Sequence, residues 1–306
     1  MSSSCSVIRF FTGEKNVIMG RETAEVKMEE RKGDVNGKRD IEAGVKDGFR
    51  TIILAAGKGK RMKSTLAKVL HPVGGIPMLT HSLAAARAAG SQKIVMVIGH
   101  QAERIRALYR GDDLLFAEQR EPLGTGHAVL QARDLFRDYE GAIVILCGDV
   151  PLILPETVRS LYDRHRSEGA VVTVLTTLPP DPAGYGRVVT ADDGGILRIV
   201  EERDATAEEK SIREINTGIY CVESGFLFMA VAGLGNRNAQ KEYYLTDIIE
   251  IARKSGRRAT SFRAADPIEV MGINTPAELA MASHRMENRG VKTNPFPEKS
   301  PGGMES

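Results

Sequence analysis

The chain has 306 residues, of which 42% are hydrophobic, enough for a sizeable core in one large domain or two small ones. Lys and Arg number 42 against 40 for Asp and Glu, and the net charge of +2 supplies no broad basic field of the kind that binds nucleic acid. Cys5, Cys147 and Cys221 lack metal-ligand spacing, and no apolar run approaches the roughly 18 residues of a membrane span, so we expect a cytoplasmic protein without disulfides, zinc or membrane contact.

The first 50 residues contain little periodic hydrophobicity. The stretch from Arg21 to Asp47 mixes charges of both signs with scattered glycines, a composition typical of disordered segments. We predict that residues 1–50 form a disordered, charged extension. The alternatives for it are a regulatory or docking arm, a solvated extension, and the product of a start codon placed too early. The sequence assigns it no role.

From residue 51 short apolar runs alternate with segments of helical periodicity. The run from Ile143 to Leu146 is apolar on both faces, as expected when helices cover both sides of a parallel sheet. The pattern predicts an α/β fold with a doubly wound, mostly parallel, Rossmann-like sheet. The predicted strands of this part are residues 51–54, 93–98 and 142–146, and the predicted helices are residues 78–89, 102–108 and 128–135.

The later part of the domain continues with shorter elements that we interpret as an inserted subdomain completing a cleft. A last helix is predicted over residues 276–286, so the whole domain spans residues 51–286. Residues 287–306 are rich in proline, glycine and charge and are predicted to form a disordered tail. The predicted elements of the later part are strands at residues 171–176, 187–190, 219–222 and 269–271 and a helix at residues 246–254.

A glycine-rich loop follows the first predicted strand, at the edge where doubly wound sheets bind their ligands. Residues 54–62 read LAAGKGKRM, in which small residues let backbone amides approach a ligand and Lys and Arg supply positive charge, as a polyphosphate requires. The loop is neither a dinucleotide fingerprint, which needs a third glycine where Met62 stands, nor a P-loop, which needs a glycine-lysine-hydroxyl ending. By itself it could also be an ordinary strand-to-helix turn.

The glycine loop together with Lys68, seven residues after Arg61, resembles the signature of the sugar nucleotidyltransferases. The resemblance implies that Arg61 and Lys68 hold phosphate oxygens and act in catalysis. It also implies that the loop binds the nucleotide. One departure is Ala67, which stands where the family usually has proline and could loosen the loop without removing the charge. The loop residues implied in substrate binding are Leu54, Ala55, Ala56 and Gly57.

Further segments are similar to the uridylyltransferase half of the bifunctional N-acetylglucosamine-1-phosphate uridylyltransferase/glucosamine-1-phosphate acetyltransferase family. Gln119 and the run containing Gly124 and Thr125 resemble its uracil-binding segment, and an amide with a donor and an acceptor suits that base. Asp149, after an apolar strand, and Asn274 match the positions that bind Mg²⁺ in this family. The resemblance therefore implies Mg²⁺ as the cofactor and a catalytic role for Asp149.

The segments around Gly186, Glu201 and Asn216 resemble those that surround the sugar in this family. Cys147 replaces the family's usual tyrosine, which puts any contact of that ring with sugar or uridine in doubt. Each of these residues, taken singly, also has a structural explanation as a cap, a buried hydrogen-bonding group or a solvated charge. The histidines His71, His81 and His127 are expected to pack or cap, because the reaction needs no strong base.

The implied reaction joins UTP and N-acetylglucosamine-1-phosphate into UDP-N-acetylglucosamine with release of pyrophosphate. Two alternatives stay open: a related enzyme with another sugar or base, and a non-catalytic paralogue that binds nucleotide-sugar. After residue 286 the sequence has no hexapeptide repeats that could form the family's acetyltransferase β-helix, so we expect no use of acetyl-CoA. The sequence does not give the oligomeric state.

Overall fold

The computed structural model describes residues 48–192 and 194–289. Most of the predicted N-terminal extension and nearly all of the predicted tail lie outside these residues. The first strand begins at Phe49, two residues before the predicted start of the domain, and the last helix continues to Asn288, two residues beyond its predicted end.

A mixed sheet of nine strands forms the centre of the described part of the chain. Two short strands, β2 and β3, form a separate sheet. The order of the nine-stranded sheet is β11-β7-β10-β6-β1-β4-β5, with β8 paired to β10 and β9 paired to β8. Strands β6, β1, β4 and β5 are parallel, as are β11 and β7, whereas β10 runs antiparallel to both neighbours. The predicted doubly wound, mostly parallel sheet is confirmed. The strands are β1 (Phe49–Ala55), β2 (Pro72–Val73), β3 (Ile76–Pro77), β4 (Ser91–Ile98), β5 (Leu114–Glu118), β6 (Ala142–Cys147), β7 (Val172–Thr177), β8 (Arg187–Thr190), β9 (Ile196–Val200), β10 (Ile215–Glu223) and β11 (Ala259–Arg263).

Helices connect the strands and cover both faces of the sheet. Local signals set their ends: α4 begins with Pro155 at its first position and ends at Gly169, whose φ of 57° is left-handed. Short 3-10 segments occur at Lys60–Met62, Lys68–Leu70, Arg133–Phe136 and Leu245–Asp247. The α-helices are α1 (Met78–Ala88), α2 (Ala102–Leu108), α3 (Thr125–Leu130), α4 (Pro155–Glu168), α5 (Ala207–Lys210), α6 (Ser224–Ala232), α7 (Ile248–Lys254), α8 (Pro267–Val270) and α9 (Pro276–Asn288).

The strand predicted at residues 269–271 is wrong, because this segment belongs to the end of helix α8. Asp266 caps the helix by accepting a hydrogen bond from the Ile268 amide at 3.0 Å, and Pro267 occupies its first turn. An Asp-Pro pair is a helix-start signal, which here outweighs the β propensity of Ile268 and Val270.

The central strands bury side chains on both faces, as the sequence predicts. Ile53 and Leu146 pack into one core with α1 and α4, whereas Ile52 and Ile145 pack into a second core with α3, α6 and α7. All four side chains are at most 1% exposed. A sheet held between two cores has its free functional surface at the strand ends, and that is where the candidate site lies.

Candidate active site

The carboxyl ends of the central parallel strands meet at one edge of the sheet. The Gly148 amide, just after β6, donates to the carbonyl of Leu54 near the end of β1 at 2.9 Å. The Gln119 amide, just after β5, donates to the Ile98 carbonyl at 2.8 Å. A Cβ at Gly99 would stand 2.8 Å from the Gln119 carbonyl, so only glycine allows these loops to pack so closely. The sequence analysis missed Gly99, although its place directly after β4 was a usable signal.

The glycine loop after β1 approaches Lys68 closely. Ala55 is buried, Ala56 is half-buried, and Gly57 is exposed with open space where a side chain would lie. Gly59 has a left-handed φ of 63°, and an added Cβ would stand 2.4 Å from the Cβ of Lys68. Glycine at position 59 therefore permits both the turn and the approach of Lys68.

Four residues that are distant in sequence converge beside this loop. Lys68 Nζ forms a salt bridge with Asp149 Oδ2 and donates to Asn274 Oδ1 at 2.6 Å. Arg61 Nη2 donates to the same Asn274 oxygen at 2.8 Å. The side chains of Lys68 and Asp149 are 13% and 23% exposed, whereas Arg61 is exposed, so a ligand can reach this corner from the side of Arg61. We name Arg61, Lys68, Asp149 and Asn274 the phosphate corner.

The segment before α9 fixes the Asn274 side chain. Its Nδ2 donates to the Gly272 carbonyl at 3.0 Å, which turns Oδ1 toward Lys68 and Arg61. Its backbone amide donates to Glu278 Oε2 at 2.6 Å, and the Ile273 amide donates to the Asp149 carbonyl at 2.9 Å. Glu278 also closes a capping box with Thr275, a pattern that is readable in the sequence but that the analysis above did not use.

The donors in the phosphate corner suit a hard divalent cation. Asp149 supplies a carboxylate and Asn274 an amide oxygen, and both oxygens contact one positive group, the Lys68 ammonium. Within the described residues no group of three or more His, Cys, Asp or Glu side chains could hold a metal. Two protein oxygens match the needs of Mg²⁺, which keeps several waters and takes substrate phosphates as further ligands. The residues present therefore fit the ion.

The residues expected to bind the base lie after β5. Gln119 is 6% exposed, and its Nε2 donates to the Gly124 carbonyl at 3.0 Å and contacts His127 Nδ1 at 3.1 Å, which leaves Oε1 as an acceptor. A Cβ at Gly124 would stand 2.6 Å from the Tyr243 carbonyl. Thr125 Oγ1 accepts from the Leu245 amide at 3.1 Å. The segment that contains Tyr243 thus supports this loop through its backbone.

The residues expected to surround the sugar are also neighbours. The Asn216 amide donates to the Gly186 carbonyl at 2.9 Å, and a Cβ at Gly186 would stand 3.4 Å from Glu201 Oε2. Asn216 Oδ1 accepts from the Gly218 amide at 2.9 Å. Burial raises the pKa of Glu201, and a hydrogen bond from Thr246 Oγ1 at 3.3 Å partly opposes this effect. Glu201 is thus a carboxylate largely removed from water, suited to accept from a hydroxyl.

Cys147 contacts Gly218, two residues after Asn216, and stands two residues before Asp149 in the chain. It lies at the end of β6, and its Sγ donates to the Gly218 carbonyl at 3.3 Å. Burial raises the pKa of this thiol. Burial is the main cause that raises the pKa of Tyr185 to about 12. The charges of Glu278 and Asp149 raise this pKa further, and the charge of Arg61 lowers it. The sequence analysis did not single out Tyr185 within its motif.

Comparisons with known proteins identify the family. Residues 50–267 match the family model described as "Nucleotidyl transferase". The chain belongs to the nucleotidyl transferase family. It is 54% identical over 239 residues to the bifunctional protein GlmU of Geobacter metallireducens, a match that covers 78% of this chain and 50% of the relative. The GlmU protein of Geobacter sulfurreducens is 52% identical over 244 residues, covering 79% of this chain and 51% of the relative. The chain thus spans about half the length of the curated relatives it matches.

The fold has a solved counterpart. The crystal structure of UDP-glucose pyrophosphorylase complexed with UDP-glucose aligns with a TM-score of 0.64, covering 79% of this chain and 99% of that chain. At 16% sequence identity this likeness shows a shared fold alone. Within the described residues no helix combines the length and the apolar character needed to cross a membrane.

Proposed function

We propose that the chain transfers UMP from UTP to N-acetylglucosamine-1-phosphate in a Mg²⁺-dependent reaction, giving UDP-N-acetylglucosamine and pyrophosphate. The observation that carries this proposal is the convergence of Arg61, Lys68, Asp149 and Asn274 beside a glycine loop at the carboxyl edge of the sheet. The identity to bifunctional GlmU proteins over 78% of the chain supports the same reaction.

In the proposed reaction an oxygen of the sugar phosphate forms a bond to the α-phosphorus of UTP. The bond from that phosphorus to the bridging oxygen breaks, and pyrophosphate leaves with the electron pair. The nucleophile is already ionised at neutral pH, so the protein's work is alignment and charge stabilisation. Lys68 would hold the sugar phosphate, and Arg61 would stabilise charge on the departing pyrophosphate. Both form charge-assisted hydrogen bonds to Asn274 Oδ1, and that of Lys68 is the more shielded from water.

Asp149 and Asn274 are the residues that would hold the proposed Mg²⁺. When bound, the ion would neutralise phosphate charge and orient the triphosphate. The glycine loop approaches the same corner through Gly59, and the open space at Gly57 allows a phosphate to approach the Gly57 amide.

The remaining residues select the substrates in this proposal. Because its Nε2 contacts Gly124 and His127, Gln119 would use Oε1 to accept a hydrogen bond from the N3–H of uracil. Cytosine has no hydrogen at N3. Gly124 and Thr125 border the same base. Gly186, Glu201 and Asn216 would bind the sugar through its hydroxyl and acetamido groups.

Pyrophosphate release from a matrix of substrates tests the proposal. UTP, CTP and dTTP would each be combined with N-acetylglucosamine-1-phosphate, glucosamine-1-phosphate and glucose-1-phosphate, with and without Mg²⁺. We expect rapid release only from UTP with N-acetylglucosamine-1-phosphate and Mg²⁺. A different preferred pair would assign a related nucleotidyltransferase activity, and UTP binding without turnover of any pair would assign a nucleotide-binding paralogue.

Asp149→Ala tests the site within the same assay. We expect this variant to lose Mg²⁺-dependent turnover while keeping the fold, because it removes the one carboxylate of the phosphate corner. Asp163→Ala is the matched control, since it removes an exposed carboxylate on α4 that pairs with Arg159 and lies outside the phosphate corner. Turnover within tenfold of wild type for Asp149→Ala would exclude this carboxylate from the site.

A further inference from the structure

Two hydrogen bonds from one glutamine hold the segment that leads into Lys68. The Ala67 amide donates to Gln101 Oε1 at 3.2 Å, and Gln101 Nε2 donates to the Thr65 carbonyl at 2.9 Å. Ala67 itself is fully buried, with φ −54° and ψ 134°. The side-chain amide thus pairs with the backbone of residues 65 and 67 much as a neighbouring strand would. We name this pair of bonds the Gln101 clamp.

Gln101 adopts an unusual backbone conformation to make this contact. It precedes helix α2 with φ 58° and ψ 38°, a left-handed conformation that residues other than glycine rarely adopt. Its side chain does not cap its own helix and extends instead to the loop before Lys68. Strained backbone that persists in a folded protein must be held by surrounding contacts, and such residues cluster at functional sites.

The clamp acts on the residue next to Lys68, and other contacts fix the rest of that lysine. Gly59 packs against its Cβ, and Asp149 and Asn274 contact its Nζ. We propose that Gln101 is a positioning residue, which sets the backbone at Ala67 so that the Lys68 ammonium lies where the sugar phosphate binds. This inference rests on the proposed function for the role of Lys68, whereas the clamp itself rests on geometry alone.

Substitution of Ala67 by proline separates the effect of the hydrogen bond to Gln101 from the effect of a fixed φ at residue 67. The φ of Ala67 lies within the range to which a proline ring is restricted, so proline can replace it without a change in that angle. Proline has no amide hydrogen and cannot bond to Gln101 Oε1. Ala67→Pro therefore replaces the restraint from the hydrogen bond by a covalent one.

Amide hydrogen exchange tests the clamp without any substrate. In Gln101→Ala the Ala67 amide should exchange at least about tenfold faster than in the wild type, since a tenfold change is the loss of roughly 1.4 kcal/mol of protection. Glu103→Ala is the control, because Glu103 lies two residues after Gln101 and its side chain is 89% exposed. Unchanged exchange at Ala67 in Gln101→Ala would overturn the clamp.

Steady-state kinetics test the positioning role. Gln101→Ala should lower kcat/KM for N-acetylglucosamine-1-phosphate by about tenfold, with less than about threefold change in the KM for UTP, because misplacing one phosphate-binding group by a fraction of an ångström has effects of this size. Ala67→Pro in the Gln101→Ala background should recover activity to within about threefold of wild type. If Gln101 had a merely structural role, Gln101→Ala would lower thermal stability and would lower kcat/KM for both substrates together. Ala67→Pro would then not restore activity.

The outcomes separate this inference from the proposed function. Faster exchange at Ala67 with unchanged kinetics, or lost activity that proline does not restore, would overturn the positioning role. If the wild type forms no nucleotide sugar, the proposed function fails and so does the role assigned to Lys68, whereas the clamp is still decided by the exchange measurement.

Discussion

Replacement of Gly59 by alanine should damage both stability and turnover, for two separate reasons. The left-handed φ of 63° costs an L-residue about 1–2 kcal/mol. The new Cβ would also stand 2.4 Å from the Cβ of Lys68, an atom next to the backbone that cannot turn away as a side-chain tip can. Lys68 must therefore shift. A displacement of about 1 Å at a phosphate-binding group lowers the rate by about 100-fold, or about 2.7 kcal/mol of transition-state stabilisation.

Urea denaturation and pyrophosphate release would measure the two effects of Gly59→Ala. We expect a loss of about 1–3 kcal/mol in the free energy of unfolding and about 100-fold in kcat/KM. Gly225→Ala is the matched control, because Gly225 is an exposed position in α6 with no atom within 4 Å of an added Cβ. There alanine should stabilise by about 0.5–1 kcal/mol without a change in rate. Near-normal activity and stability of Gly59→Ala would refute the packing of this glycine against Lys68.

Two further predictions concern charge. Arg61→Ala and Lys68→Ala should each lower kcat/KM by about 30- to 1000-fold, measured by pyrophosphate release, since each removes a preorganised donor from the phosphate corner; near-normal turnover of both would make the loop structural. Burial, together with Glu250 and Asp204, raises the pKa of Asp247 from 3.8 to about 6, so its ionisation costs stability as the pH rises through 6. Asp247→Asn should therefore add about 1 kcal/mol to the free energy of unfolding at pH 8, a value reduced because the side chain is partly exposed to solvent. Below about pH 3.8 it should add nothing. Equal effects on the free energy of unfolding at both pH values would contradict the raised pKa of Asp247.

Much of the fold could be predicted from the sequence because the central strands are apolar on both faces and their helices are amphipathic. The apolar runs at β1, β4 and β6 are short and alternate with helical segments, which favours a buried parallel sheet. Strands β5 and β11 were not predicted, since each is short and only partly buried. Helix α4 was missed as well, although Val158, Leu161 and Tyr162 recur at helical spacing within an otherwise mostly charged sequence and were a usable signal.

The candidate site could be predicted as a set of residues but not as a network of contacts. Arg61, Lys68 and Asp149 stand out because strand ends and a glycine loop place charge where parallel sheets bind ligands. The contact of Gln101 with Ala67 has no such signal, because a side chain that bonds to the backbone of another segment leaves little trace in residue type. The capping box that places Glu278 beside Asn274 was readable in the sequence but was not used. These contacts decide where the charges lie.

The charges of the phosphate corner show why an amide occupies position 274. Arg61 and Lys68 bring two positive charges and Asp149 one negative charge, so the corner keeps a net attraction for phosphate. A carboxylate at position 274 would cancel that remaining charge and bind both cations more tightly, in competition with the substrate. The neutral Oδ1 of Asn274 orients Arg61 and Lys68 by hydrogen bonds and still offers a hard oxygen to a cation. In the proposed reaction the corner would therefore be ordered before the substrate binds, while its positive charge would stay available to stabilise the transferred phosphoryl group.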